Sequence, residues 1–106
     1  MNKIEITVQE LKELIDGKDE FCLLDVRREE EFSIVNIGGE LIPDYDISTQ
    51  YSKLPKDAYI VVLCHHGVRS LNVTHFLLSK GFERVSSVAG GIDKYAKEID
   101  NTLATY

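Results

Sequence analysis

Apolar residues in this chain recur at two different spacings, separated by short charged stretches. Ile4 and Ile6 alternate with polar neighbours, the two-residue period of a short strand. Thr7-Val8-Gln9-Glu10 follows; there the hydroxyl and the carboxylate can cap the first free N–H groups of a helix reciprocally. Val8, Leu11 and Leu14-Ile15 repeat at helical spacing, and Gly17 is placed to stop the helix. Phe21-Cys22-Leu23-Leu24-Asp25-Val26 is a nearly continuous apolar run, the pattern of a strand covered on both faces. Arg28 to Phe32 predicts a short charged helix, Leu41-Ile42 a brief strand after Gly38-Gly39, and Tyr45 to Leu54 another short helix. Tyr59-Ile60-Val61-Val62-Leu63 carries the strongest strand signal. Leu71 to Lys80 reads as a helix with Val73, Phe76 and Leu77 available for burial, and Gly81 fits a left-handed cap. Val85 to Val88 is a last strand, Gly90-Gly91 a turn, and Ile92 to Leu103 a final helix.

Strands alternating with helices predict an α/β fold of three layers, α/β/α, around a central, mostly parallel five-stranded sheet with right-handed crossovers. In such sheets ligands gather beyond the carboxyl ends of the strands. Cys64 stands at one of those ends.

Composition narrows the function classes. The 106 residues fit one domain, residues 1–106, with 43% apolar and 28% charged positions. A formal net charge of −6 argues against nucleic acid or an anionic membrane as partner. No run approaches the length that spans a bilayer, and Met1 to Glu10 is polar with no secretory core; a cytoplasmic protein is expected. The two prolines, Pro43 and Pro55, mark a loop-rich middle third rather than a linker, and there is no internal repeat. Cys22 and Cys64 are expected as free thiols. His65, His66 and His75 match no usual metal-ligand spacing with Cys64. Side chains of adjacent histidines are expected to diverge, so no metal and no cofactor is assigned.

The chemistry concentrates in Val61-Val62-Leu63-Cys64-His65-His66-Gly67-Val68-Arg69-Ser70. A thiol is a good nucleophile only as thiolate, and an ordinary one titrates near about 8.5. Here a strand stops and a helix begins within a few residues. The connecting backbone N–H groups form a concave nest at a helix N-terminus, which attracts negative charge. Gly67 permits the tight cradle, and His65, His66 and Arg69 add donors or positive charge. Each of these features favours an anion at the sulfur.

Cys64-His65-His66-Gly67-Val68-Arg69-Ser70 resembles the active-site loop of rhodanese domains, the sulfurtransferases. Leu24-Asp25-Val26-Arg27 followed by an acidic run and Phe32 is similar to another family segment, and Gly81-Phe82, Val85 and Ala89-Gly90-Gly91-Ile92 resemble its closing motifs. The likeness spans nearly the whole chain in the family's order. It implies a rhodanese-like fold and a catalytic Cys64 that takes sulfur from a donor such as thiosulfate as a persulfide. His65, His66, Gly67, Val68, Arg69 and Ser70 would surround the substrate sulfur. The acceptor would be cyanide in an assay, or a small thiol or a protein in the cell. Similar loops occur in rhodanese modules attached to ubiquitin-activating-like sulfur-transfer enzymes, which points to a protein acceptor. The Cys-x4-Arg spacing is one residue shorter than the Cys-x5-Arg of phosphatases. A phosphatase or arsenate reductase using the same thiolate, and a non-catalytic docking module, remain the alternatives. The chain departs from the family at Asn36-Ile37-Gly38-Gly39-Glu40 and at Tyr95, where many members carry tryptophan.

The remaining candidates divide by chemistry. Arg69 either orients an anion or pairs with a carboxylate such as Glu31. Asp25 and Arg27 are read as structural groups near the site. Cys22 is read as an inert core thiol, His75 as a surface or packing residue, and Glu29-Glu30-Glu31 as a solvated helix face.

Overall fold

The computed structural model describes residues 2–106. Five strands form one sheet in the order β1-β5-β4-β2-β3, and every pairing is parallel. The strands are β1 (Glu5–Ile6), β2 (Cys22–Asp25), β3 (Glu40–Leu41), β4 (Ile60–Leu63) and β5 (Val85–Val88). The helices are α1 (Val8–Asp16), α2 (Glu29–Ile34), α3 (Ile47–Gln50), α4 (Val68–Ser79) and α5 (Gly91–Glu98). Central β4 is buried along its whole length. Its Val62 and Leu63 lie opposite Leu24 and Asp25 of β2.

Alternate residues of the strands build two cores. Ile60, Val62 and Val85 pack with Leu24, Ile47, Val73 and Leu77 under α3 and α4. Val61, Leu63 and Val88 pack with Val8, Leu11, Ile92 and Tyr95 under α1 and α5. This is the three-layer arrangement expected of the alternating pattern. Tyr95 is buried in the second core, so it fills an interior position.

The strand order explains where a site can form. The chain leaves β2 toward β3 on one side and leaves β4 toward β5 on the other. The connections after β2 and β4 therefore separate, and a crevice opens between them at the strands' carboxyl ends. Asp25 to Arg28 follows β2, and Cys64 to Gly67 follows β4. Both segments meet at this switch point.

Several boundaries differ from the sequence expectations. Helix α4 begins at Val68 rather than Leu71, so the helix N-terminus lies within the Cys64 loop itself. Helix α5 ends at Glu98 instead of Leu103. Asp100 stops its continuation: its side chain accepts from the Thr102 N–H at 3.1 Å, a local turn that competes with helix. Tyr45 to Leu54 is divided into a 3-10 turn (Asp44–Asp46), α3, and a second 3-10 turn (Tyr51–Lys53). Gly17 does end α1, in an extended conformation with φ −82°. Thr7 and Glu10 do form the reciprocal cap.

Candidate active site

Cys64 follows β4 directly and is 1% exposed. Its Sγ accepts from the backbone N–H of Gly67 at 3.1 Å and of Ser70 at 3.3 Å. The Ser70 hydroxyl lies 3.3 Å from the same sulfur. Two N–H donors from the first turn of α4 and its cap thus converge on one atom. Donors aimed at an acceptor favour its anionic form. Gly67 makes the turn possible with φ +103°, a left-handed conformation that costs a residue with a side chain.

The loop is anchored from behind by α5. The N–H of Ile92 donates to the Cys64 carbonyl at 2.9 Å, and that of Asp93 donates to the His65 carbonyl at 3.1 Å. This close approach requires glycine at 91: a Cβ there would collide with both carbonyl oxygens, and its φ is +62°. The closing glycines are therefore part of the cradle that holds Cys64.

Arg69 pairs with Glu31. Its guanidinium donates to both carboxylate oxygens at 2.7 and 2.9 Å. Arg69 projects from α4 and Glu31 from α2, so the pair ties the two sides of the crevice together. The bidentate bond to Arg69 lowers the Glu31 carboxyl to about 2 from 4.5, against the opposing effect of burial. Glu31 is thus no part of a solvated face, although Glu29 and Glu30 are exposed. A carboxyl lowered on folding adds stability above about pH 4.5 and loses it as pH falls toward 2. Glu31→Gln should therefore be less stable than wild type at pH 7, by about 1 kcal/mol for a partly exposed pair. The gap should close near pH 2 to 3. Urea midpoints of both proteins at pH 7, 4 and 2.5 check this; a gap that persists at low pH would contradict it.

Asp25 and Arg27 form a fully buried ion pair. Arg27 donates to both Asp25 oxygens, Nε at 3.0 Å and Nη2 at 2.8 Å. It also reaches the Val35 carbonyl at 2.8 Å and the Tyr106 hydroxyl at 3.0 Å. Burial disfavours its charge, but the bonds to Asp25 and Tyr106 outweigh burial and raise the guanidinium's affinity for its proton. The pair lies under the β2 side of the crevice and has no bond to Cys64.

The two histidines do not diverge as the sequence suggested. Their rings stack at 3.8 Å, and the Tyr106 ring stacks on His65 at 3.9 Å. His65 Nε2 lies 2.9 Å from the Tyr106 carbonyl, which only accepts, so that nitrogen carries the proton. Burial, then the neighbouring His66, holds His65 below the ordinary imidazole range. The physical reason is Tyr106, whose ring gives His65 a flat surface to stack on. With Asp93 the two histidines form the one group among the described residues whose nitrogen and oxygen atoms could approach a metal. Each already has a partner: Tyr106 for His65, and Lys97 at 3.0 Å for Asp93, which also faces His66 at 3.8 Å. Val68 is exposed beside them, and His75 is exposed on α4 away from the loop. Cys22 is half-buried in β2, and burial pushes its thiol up.

Two residues near the loop had no place in the sequence reading. Tyr106 donates to Glu31 at 2.7 Å and joins Glu31, Arg27 and His65 in one network. Ser87, buried in β5, contacts the Ser70 hydroxyl at 2.7 Å. A signal for Ser87 existed in the sequence: two serines interrupt an apolar strand.

A family model for the rhodanese-like domain matches residues 7–98. The thiosulfate sulfurtransferase GlpE of Glaesserella parasuis is 32% identical over 94 residues, covering 88% of this chain and 86% of that protein. The probable adenylyltransferase/sulfurtransferase MoeZ of Mycobacterium tuberculosis is 35% identical over 104 residues, 95% of this chain. This chain spans only 26% of that relative's length. The crystal structure of a rhodanese-like domain protein from Staphylococcus aureus superposes with a TM-score of 0.82 at 27% identity, covering 100% of this chain and 99% of that one.

Proposed function

Since the chain belongs to the rhodanese-like domain family, we propose that it is a sulfurtransferase carrying sulfane sulfur as a persulfide on Cys64. The observation that carries this reading is the pair of N–H donors, from Gly67 and Ser70, on the Cys64 sulfur. They favour the thiolate that the first step requires. The thiolate attacks the outer sulfur of thiosulfate. A Cys–S bond forms, the sulfur–sulfur bond of thiosulfate breaks, and sulfite leaves with the electron pair. The loop from His65 to Ser70 then surrounds the charged outer sulfur of the persulfide. A thiophilic acceptor attacks that sulfur, takes it, and returns Cys64 as thiolate. With cyanide the product is thiocyanate.

The Cys-x4-Arg spacing from Cys64 to Arg69, one residue shorter than in phosphatases, supports sulfur rather than phosphoryl chemistry. The Arg69 guanidinium is bound on both arms by Glu31, so Arg69 serves as a tie between α4 and α2 rather than as a clamp on phosphate or thiosulfate. The donor is a small sulfane compound such as thiosulfate, and the acceptor a small thiol or a protein. A cytoplasmic setting, where thiols stay reduced, suits this role. No helix among the described residues is long and apolar enough to cross a membrane.

Intact-protein mass after incubation with thiosulfate tests the proposal. The protein should gain one sulfur atom, and cyanide should remove it. An unchanged mass, with turnover of an aryl phosphate instead, would replace sulfur transfer with phosphatase chemistry.

A further inference from the structure

A hydroxyl buried in an apolar strand costs free energy unless it is hydrogen-bonded. Strand β5 carries two, Ser86 and Ser87, both fully buried. Ser86 points to one side, where Tyr59 donates to it at 2.8 Å and it donates to the Lys3 carbonyl. Ser87 points to the other, and its hydroxyl has a single partner among the described residues, Ser70 Oγ at 2.7 Å. Ser70 Oγ in turn lies 3.3 Å from Cys64 Sγ. Three groups from β4, α4 and β5 thus form a chain that ends on the candidate nucleophile.

Each hydroxyl has one proton to give. While Cys64 is a thiol, its S–H donates to Ser70, and either serine can supply the proton between Ser70 and Ser87. An ionised sulfur only accepts. Ser70 must then turn its proton to the sulfur, and its oxygen needs a donor in exchange. Ser87 is the group in reach. We propose that Ser87 is a positioning residue: by donating to Ser70 it turns the Ser70 proton toward Cys64 and increases the share of thiolate. The inference rests on Cys64 being the nucleophile, but not on sulfur being what it carries.

Other charges around the sulfur do not replace this relay. Arg69, on the same helix as Ser70, is held by Glu31 from α2. Asp25 on β2 is closed off by Arg27. Asp44, after β3, and His65 and His66, on the loop, make no hydrogen bond to either serine among the described residues.

The test is the rate of alkylation by iodoacetamide between pH 5 and 10, in a Cys22→Ser background so that only Cys64 reacts. Ser87→Ala should react about threefold to tenfold more slowly at pH 6, the size expected for weakening a charge-assisted hydrogen bond. At pH 10, where the thiolate forms without help, it should match its parent. Ser70→Ala should be slowed at least as much at pH 6, and Ser70→Ala/Ser87→Ala no further than Ser70→Ala alone. Equal rates for Ser87→Ala and parent at pH 6 would overturn the relay. So would equal slowing at both pH values, which marks a structural disturbance, or multiplying effects in the double variant. Alkylation needs no sulfur donor. A normal alkylation pattern with no sulfur uptake from thiosulfate would therefore sink the sulfurtransferase reading and leave the relay standing.

Discussion

Cys64→Ser is expected to lower sulfur transfer from thiosulfate to cyanide on the order of a thousandfold or more, the scale at which removing a covalent nucleophile usually registers. The oxygen of serine is a poor nucleophile toward sulfur and stays protonated at neutral pH. No other thiol can take over in place. Cys22 is in β2, half-buried, and its thiol is pushed up by burial and by Glu40. The substitution should leave the fold intact, because a hydroxyl accepts the same N–H groups of Gly67 and Ser70 that the sulfur accepts now. A melting temperature close to wild type would show that chemistry and not folding was lost. In wild type, a carrier that is loaded and then unloaded gives parallel lines in double-reciprocal plots at several acceptor concentrations. A Cys64→Ser protein that kept a tenth of the wild-type rate would remove Cys64 from the role of carrier.

The centre of the sheet was legible because β4 is apolar on both faces. Ile60 to Leu63 is buried at every position, and no amphipathic alternative competes with it. Helix ends were less legible. Leu71 looks like the start of α4 because Arg69 and Ser70 are polar and the buried spacing of Val73, Phe76 and Leu77 begins beyond them, yet the helix begins at Val68. Its first turn is held by the Cys64 sulfur, a tertiary bond that apolar spacing does not record. The end of α5 was lost for a similar reason: Ile99 and Leu103 continue the helical spacing, but the Asp100 side chain takes the Thr102 N–H.

The candidate site was legible where its contacts are local. Cys64, Gly67 and Ser70 lie within seven residues, and one strand–helix junction brings them together. Groups that reach the loop from distant positions were harder to find. Tyr106 meets His65 from 41 residues away, Ser87 meets Ser70 from 17, and Glu31 meets Arg69 from 38. Glu31 was legible in part, as a carboxylate that Arg69 could hold, and the structure bears out that pairing. As one of three consecutive glutamates it has the look of solvated surface, and only its bond to Arg69 separates it from Glu29 and Glu30. The stacked histidines make the same point, since their arrangement depends on a ring contributed by the far end of the chain.

Arg27→Ala should cost about 3 to 5 kcal/mol of stability, because it leaves the buried Asp25 carboxylate without its charged partner. Both side chains have no exposure to solvent. What remains to Asp25 is the backbone N–H of residue 27 at 3.1 Å. The Val35 carbonyl and the Tyr106 hydroxyl lose a donor as well. For a domain whose whole stability is about 5 to 15 kcal/mol, this is a large fraction, and Tm should fall by roughly 15 °C or more. A double variant, Asp25→Asn with Arg27→Met, removes the charge along with its partner. It should recover part of the loss, since a buried ion pair gains little over a neutral filling while a lone buried charge is costly. Differential scanning calorimetry of the wild type, Arg27→Ala, Asp25→Asn, Arg27→Met and the double variant measures the loss and this coupling. The same proteins separate scaffold from chemistry. Below its Tm, Arg27→Ala should transfer sulfur within about tenfold of wild type per folded molecule, since neither Asp25 nor Arg27 makes a hydrogen bond to Cys64. A variant that melts like wild type but has lost its activity would move the Asp25–Arg27 pair from the scaffold into the reaction.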